Sequence, residues 1–281
     1  MESEIAKAIG LKYHPVAVLL ANQRPAHALQ FQKGKWGCVM FMFANAAKGK
    51  TAVFDRETYG CWGGGVGLGF GNAYLAFPGG VDCFAYFLSS GNQKWEQGRE
   101  VAKAVEAAAS KDFAHHFLHG EGYVKNPALV HQWLQELPIT EVQADYVLFK
   151  PLAEVEPSAE KPEAVVFLAD PDQLSALVIL ANYAREGMEN VIIPWAAGCQ
   201  TIGILPFREA ASGRPRAVVG LTDISARKYV RSLLGPDYLS FAMPWDLFLE
   251  MESHVAGSFL EKSTWQSLWA AKLKTTSQPA G

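Results

Sequence analysis

VVFLADPDQLSALVILANYAREGMENVII, residues 165–193, is the stretch that decides the fold class. Val165–Leu168 is a short apolar run of β-branched and aromatic character, bounded by Asp170-Pro171, and reads as a buried strand. Pro171 suits the first turn of a helix, where its missing N–H is no loss, and Gly187 suits the turn just past its end. Between them Asp172–Arg185 reads as a helix, and Val191–Ile193 reads as the next strand. A strand, a helix and a second strand within 29 residues place the chain among α/β proteins, with part of the sheet parallel.

The alternation continues towards the C-terminus. Ala217–Leu221 reads as a strand, Ser225–Tyr229 as a short helix, Leu239–Met243 as a strand and Pro244–His254 as a helix. Upstream, Tyr146–Phe149 is a strand, and EVEPSAEKPEA (Glu154–Ala164) has the polar, proline-bearing composition of a linker. The N-terminal half is richer in glycine and aromatic residues. Val16–Leu20 and Thr51–Phe54 read as strands, Cys38–Lys48 as a helix stopping at Gly49, and Ala128–Leu137 as a helix. One long amphipathic helix is expected within Asn92–His119, with Val101, Val105, Ala108, Phe113 and Phe117 on its apolar side. The expected architecture is therefore a compact two-lobed α/β protein, a mixed or partly parallel sheet flanked by helices. It forms a single domain over 1–274 with lobes 1–153 and 164–274, and a disordered tail over 275–281.

Bulk properties exclude several functions. Hydrophobic residues are 49% of the chain and charged ones 19%, a globular balance. A net charge of −3 provides no basic face, so nucleic acid is not an expected partner. No run of about 18 apolar residues is present and MESEIAKAIG lacks the apolar core of a signal peptide. A cytoplasmic location, away from membranes, is expected, with homo-oligomerisation left open.

Chemistry concentrates around cysteine. YGCWGGGVGLGFGN (Tyr59–Asn72) holds seven glycines beside Cys61, although glycine costs about 0.5–1 kcal/mol relative to alanine in regular structure. Cys38, Cys61 and Cys199 each follow a glycine directly, and each has an aromatic residue two to four positions upstream. A thiol at a helix N-terminus, near free backbone N–H groups, is favoured as thiolate. That setting suits an anionic inorganic core, with Trp36, Trp62, Phe70 and Trp195 excluding water. The sequence therefore predicts an iron–sulfur cluster of the 4Fe-4S type, with zinc as the alternative metal. Its ligands would be Cys38, Cys61 and Cys199, with Cys83 as a fourth, and Gly60, Trp62, Gly63, Gly64 and Gly198 would cradle it. Three thiolates would leave one iron open for Lewis-acid chemistry on a small-molecule substrate, as in an oxidoreductase or lyase; four would favour exchange with an electron-transfer partner. The competing readings are a non-catalytic small-ligand, metal-binding or redox-sensing protein with structural cysteines, and a thiol enzyme using Cys61 alone.

The opening GLKYHPVAV, the Cys38 helix, Gly60-Cys61, Gly198-Cys199 and LTDISARKYV…LSFAMPWDLF resemble the domain-of-unknown-function family 169, common in anaerobic bacteria and archaea, from about Ile9 to His254. The resemblance implies that Cys38, Cys61 and Cys199 occupy family cysteine positions, with Cys83 unmatched, and it implies no activity. An anaerobe-rich family with scattered cysteines is similar to oxygen-sensitive cluster proteins.

Other motifs are weaker. Ala44–Thr51 fits A-x4-G-K-T, but a helix precedes it and a strand follows, the reverse of a phosphate loop. The glycine run lacks the third glycine of G-x-G-x-x-G, because Phe70 or Asn72 stands there. HHFLH places His115 and His119 on one helical face, a pattern that complements a helix C-terminus more readily than it binds metal. Asp223 and Arg227 are spaced as an i,i+4 pair or as groups backing a site. No G-x-S-x-G elbow occurs, so a hydrolase triad is unsupported.

Overall fold

A computed structural model describes residues 1–276, and the remaining residues of the tail expected over 275–281 lie outside the described residues. Seven strands form one sheet: β1 (Val16–Ala21), β2 (Ala52–Phe54), β3 (Tyr146–Pro151), β4 (Ala164–Ala169), β5 (Val191–Ile192), β6 (Ala217–Gly220) and β7 (Leu239–Pro244). Their order is β2-β3-β1-β4-β7-β6-β5. β5 and β6 run parallel, and every other pair is antiparallel. The expected mixed, partly parallel sheet is present. β1 pairs with both β3 and β4, so strands from either side of Glu154–Ala164 share one sheet.

Period-two alternation divides the strands between two cores. In β4, Val165, Phe167 and Ala169 face one layer, and Ala164, Val166 and Leu168 face the other. The first layer is covered by α1 (Glu4–Ala8), α8 (Pro171–Asn182) and α12 (Trp245–Ser253). α8 is fixed at its start by reciprocal bonds: Asp170 accepts from the Gln173 N–H at 3.1 Å, and the Gln173 side chain accepts from the Asp170 N–H at 3.0 Å. The second layer is covered by α2 (Val39–Ala46), α9 (Gly198–Ile202), α10 (Ile204–Ala210) and α11 (Ile224–Leu234). A satellite core gathers α3 (Trp62–Gly67), α4 (Gly80–Leu88), α5 (Gly98–Ala108), α6 (Lys111–His119) and α7 (Pro127–Glu136) around Phe77, Phe84, Phe87 and Phe117. The last described helix, α13, spans Ser263–Thr276, so it includes the first two residues of the expected tail.

Two elements differ from expectation. The long helix within Asn92–His119 is two, α5 and α6, broken at Ser110. The Ser110 hydroxyl accepts from the Phe113 N–H at 3.1 Å and starts α6 afresh, the competition with helical bonding that makes serine a cap. The short helix expected at Ser225–Tyr229 runs eleven residues, to Leu234, because Val230 and Leu234 extend its buried side against the core.

Candidate functional site

The glycine run is explained by packing. α3 lies against α9, and a Cβ on Gly67 would come within 2.7 Å of the Cys199 carbonyl carbon. A Cβ on Gly203 would come within 2.0 Å of the Gly67 oxygen, and one on Gly60 within 2.4 Å of the Gly37 oxygen. These glycines bring backbones together. In doing so they place the starts of α2, α3, α9 and α11 around one cavity of about 340 Å³. The satellite helices α4, α6 and α7 close its opposite side.

The walls are aromatic. Trp36 packs on Tyr229 with ring centroids 5.1 Å apart, and on Phe113 at 5.8 Å. Trp62 packs on Phe77 at 4.9 Å and donates its indole N–H to the Ala76 carbonyl at 2.9 Å. Across the cavity Trp195 meets Trp133 at 5.3 Å, and Trp133 donates to the Trp195 carbonyl at 3.1 Å. Two buried polar atoms on this lining, Trp36 Nε1 and Thr222 Oγ1, have no hydrogen-bond partner among the described residues, a rare condition in a folded interior.

The polar groups converge from α11 and the loop after α6. Asp223 caps α11: Oδ1 accepts from the Ser225 and Ala226 N–H groups at 2.9 and 3.3 Å, and Oδ2 accepts from the Gly198 N–H at 3.2 Å. Burial pushes its carboxyl above the usual carboxylate range, while these backbone donors pull it back. Glu121 sits between Gly120 and Gly122, both with positive φ. Its Oε1 accepts from the Ser225 hydroxyl at 2.7 Å, and the Ser225 oxygen is 2.9 Å from the Tyr123 hydroxyl. His116 Nδ1 lies 3.8 Å from the same oxygen. Burial, opposed by the Ser225 bond and reinforced by Asp223, raises the Glu121 carboxyl to about 7. Burial first, then His115 and Lys228, lowers His116.

The predicted metal centre is corrected by this geometry. Among the described residues no three His, Cys, Asp or Glu side chains are grouped so as to hold a metal ion. Cys38, Cys61 and Cys199 do face the same cavity, and their thiols neighbour one another there. The Cys199 thiol donates to the Gly63 carbonyl at 3.0 Å, and Cys61 Sγ accepts from the Gly64 N–H at 3.3 Å. Burial raises Cys38 to about 12 and Cys61 to about 11, and raises Cys199 well above the usual thiol range, where Cys61, Cys38 and Asp223 add to it. They stand as thiols. Cys83 is absent from the lining; it lies in the satellite core with its sulfur against Gly79. The expected iron–sulfur protein doing redox or Lewis-acid chemistry is not supported by this arrangement.

Of the residues expected to cradle a cofactor, Trp62, Gly63 and Gly198 line the cavity. Gly64 spends its N–H on Cys61, and Gly60 packs on Gly37 and Phe31. Asp223 and Arg227 serve different places. Arg227 donates to the carbonyls of Leu221 at 3.3 Å and Tyr238 at 2.9 Å, and to that of Pro236, tying α11 to the loop before β7. Sequence reasoning missed Glu121, Tyr123, Ser225 and Tyr229. The one local signal for Glu121 was an acid held between two glycines next to an aromatic, in Gly120-Glu121-Gly122-Tyr123.

Fold and site together define an α/β protein with an aromatic-walled cavity between its sheet layer and a helical satellite. The model of the family DUF169, described as "Uncharacterised ArCR", matches residues 4–254, and the chain belongs to that family. No curated protein and no solved structure matches it significantly. Among the described residues no helix is long and apolar enough to cross a membrane.

Proposed function

We propose that this protein binds a small organic molecule in the cavity between α2, α3, α9, α11 and the satellite helices. The observation that carries this reading is an apolar, aromatic-walled space of about 340 Å³ with a few polar groups directed into it, the usual composition of a ligand site. Trp36 Nε1 and Thr222 Oγ1 supply the second support. They are a buried donor and a buried hydroxyl on the lining without partners among the described residues, and polar groups of a ligand would answer them. Trp36, Trp62, Trp133 and Trp195 all line the space, so occupancy changes indole emission.

The test is a titration of the full chain with indole, benzyl alcohol, benzoate and benzyltrimethylammonium, read by tryptophan fluorescence and by Tm. At least one compound is expected to shift the emission and raise Tm. Ala197→Phe, which fills the cavity from the α9 side, is expected to remove both responses. Unmoved emission and Tm with all four at millimolar concentration would overturn the proposal.

A further inference from the structure

The charges around the cavity do not cancel, and the imbalance selects a ligand. Two features at first suggest an anion: the starts of α2 and α11 face inward, and Lys228 stands at the rim. The α11 start and Lys228 are already answered, and at the α2 start the Cys38 sulfur stands beside the Met40 and Phe41 N–H groups. Asp223 takes the free N–H groups of α11 and the first N–H of α9, and Lys228 is paired with Asp112 of α6. His116, the other basic group on this wall, is pushed towards its neutral form. No other lysine or arginine lines the cavity among the described residues.

Glu121 is the acid left over. Its side chain is only 9% exposed, its Oε1 has one hydroxyl donor, and its Oε2 accepts no hydrogen bond among the described residues. The aromatic faces nearby carry negative π density, which attracts a cation placed over them. Tyr229, buried beside Cys38, Asp112 and Cys61, is raised to about 12. Tyr123, buried beside Glu121 and Asp223, is raised as well. Burial is the leading cause of both shifts, so a ligand charge in this cavity needs a partner of opposite sign, and Glu121 is the carboxyl without one.

We propose that the ligand is an organic cation, a protonated or quaternary amine on an aromatic-sized apolar body, with its charge seated against Glu121 and its body between the tryptophans. This rests on the cavity being a ligand site. The groups facing Glu121 are His116 and Asp112 from α6, Ser225 and Lys228 from α11, Asp223 at the α11 cap and Tyr123 from its own loop. A bound cation holds the Glu121 carboxyl ionised, so affinity rises with pH until the free carboxyl, near 7, is ionised without help.

The experiment compares benzyltrimethylammonium, benzyl alcohol and benzoate by calorimetry on the full chain at pH 6 and pH 8. The cation is expected to bind at least tenfold tighter than the other two at pH 8, and more weakly at pH 6. Glu121→Gln is expected to bring it down to the level of the alcohol, and a cooperative thermal transition beside wild type shows the variant folded. Equal or tighter binding of alcohol or benzoate by the wild type overturns the proposal while sparing the cavity as a site, as does cation affinity unchanged in Glu121→Gln. Failure of all three to bind overturns the proposal, and failure of indole as well overturns the cavity as a site.

Discussion

Glu209 and Glu121 are the same residue in nearly the same degree of burial, with side chains 3% and 9% exposed, and the protein treats them in opposite ways. Glu209, on α10, is fully answered. Its Oε2 accepts from the Arg216 backbone N–H at 3.1 Å and from Arg216 Nε at 3.0 Å, and its Oε1 accepts from Arg216 Nη2 at 2.9 Å. Burial alone would raise that carboxyl, but the Arg216 bonds and charge outweigh it, and it lies below the usual range. Glu121 has one hydroxyl and no paired cation, and burial wins, raising it to about 7. A finished carboxylate is architecture; an unfinished one, on the wall of a cavity, is a site in waiting.

The largest expected effect comes from unfinishing Glu209. Glu209→Ala strips the fork of Arg216, which is itself only partly exposed at 37%. The loss should be about 2–4 kcal/mol, below the full value for a completely buried pair because water reaches Arg216. Urea unfolding at pH 7 measures it. Because the Glu209 carboxyl is depressed, its contribution is present above the ordinary carboxylate value and fades as pH falls through the folded value. A loss under about 0.5 kcal/mol would put Glu209 in the ordinary surface class and end the contrast.

Glu121 has the reverse sign. Its folded value stands above its unfolded one, so its favourable contribution is complete below about 4.5 and is lost as pH rises through about 7. Glu121→Gln cannot ionise. Relative to wild type, the variant should gain roughly 2–3 kcal/mol of stability between pH 5 and pH 8. Paired urea curves at the two pH values give the difference directly. A constant offset between the two proteins at both values would mean that the carboxyl is not perturbed by folding.

The same divide marks what could be read from the residues alone. The strands were legible because their apolar runs are short and bounded by Pro, Gly or Asp, as at Val165–Leu168 before Asp170-Pro171. The start of α8 was legible in the same place from Pro171, while the Asp170–Gln173 cap was not read. The break at Ser110 was not, since Phe113 and Phe117 keep the apolar pattern of α5 going through it. At the site, cysteine position carried half of the truth. Cys38, Cys61 and Cys199 do meet at one cavity, at or beside helix starts. What they do there depends on Gly63 and Gly64, whose backbone groups engage two of the sulfurs. Glu121 and Ser225 are 104 positions apart and their pairing exists only in the fold.

The glycines of α3 give the finest version of the contrast between finished and open. Gly67 is in finished packing: an added Cβ would lie 2.7 Å from the Cys199 carbonyl carbon and 2.8 Å from its sulfur, and the backbone there cannot yield cheaply. Gly67→Ala should cost about 1–3 kcal/mol as α3 is forced off α9. Gly63, four residues earlier, faces the cavity, and its nearest neighbour would be the Tyr74 hydroxyl at 3.6 Å, an ordinary contact. Gly63→Ala should therefore shift stability by no more than a few tenths of a kcal/mol, with helix propensity gained offsetting any crowding. Thermal unfolding of the two variants side by side reads the difference. Equal losses would mean that the space beside Gly63 is not open, and the cavity would lose the wall on which its volume depends.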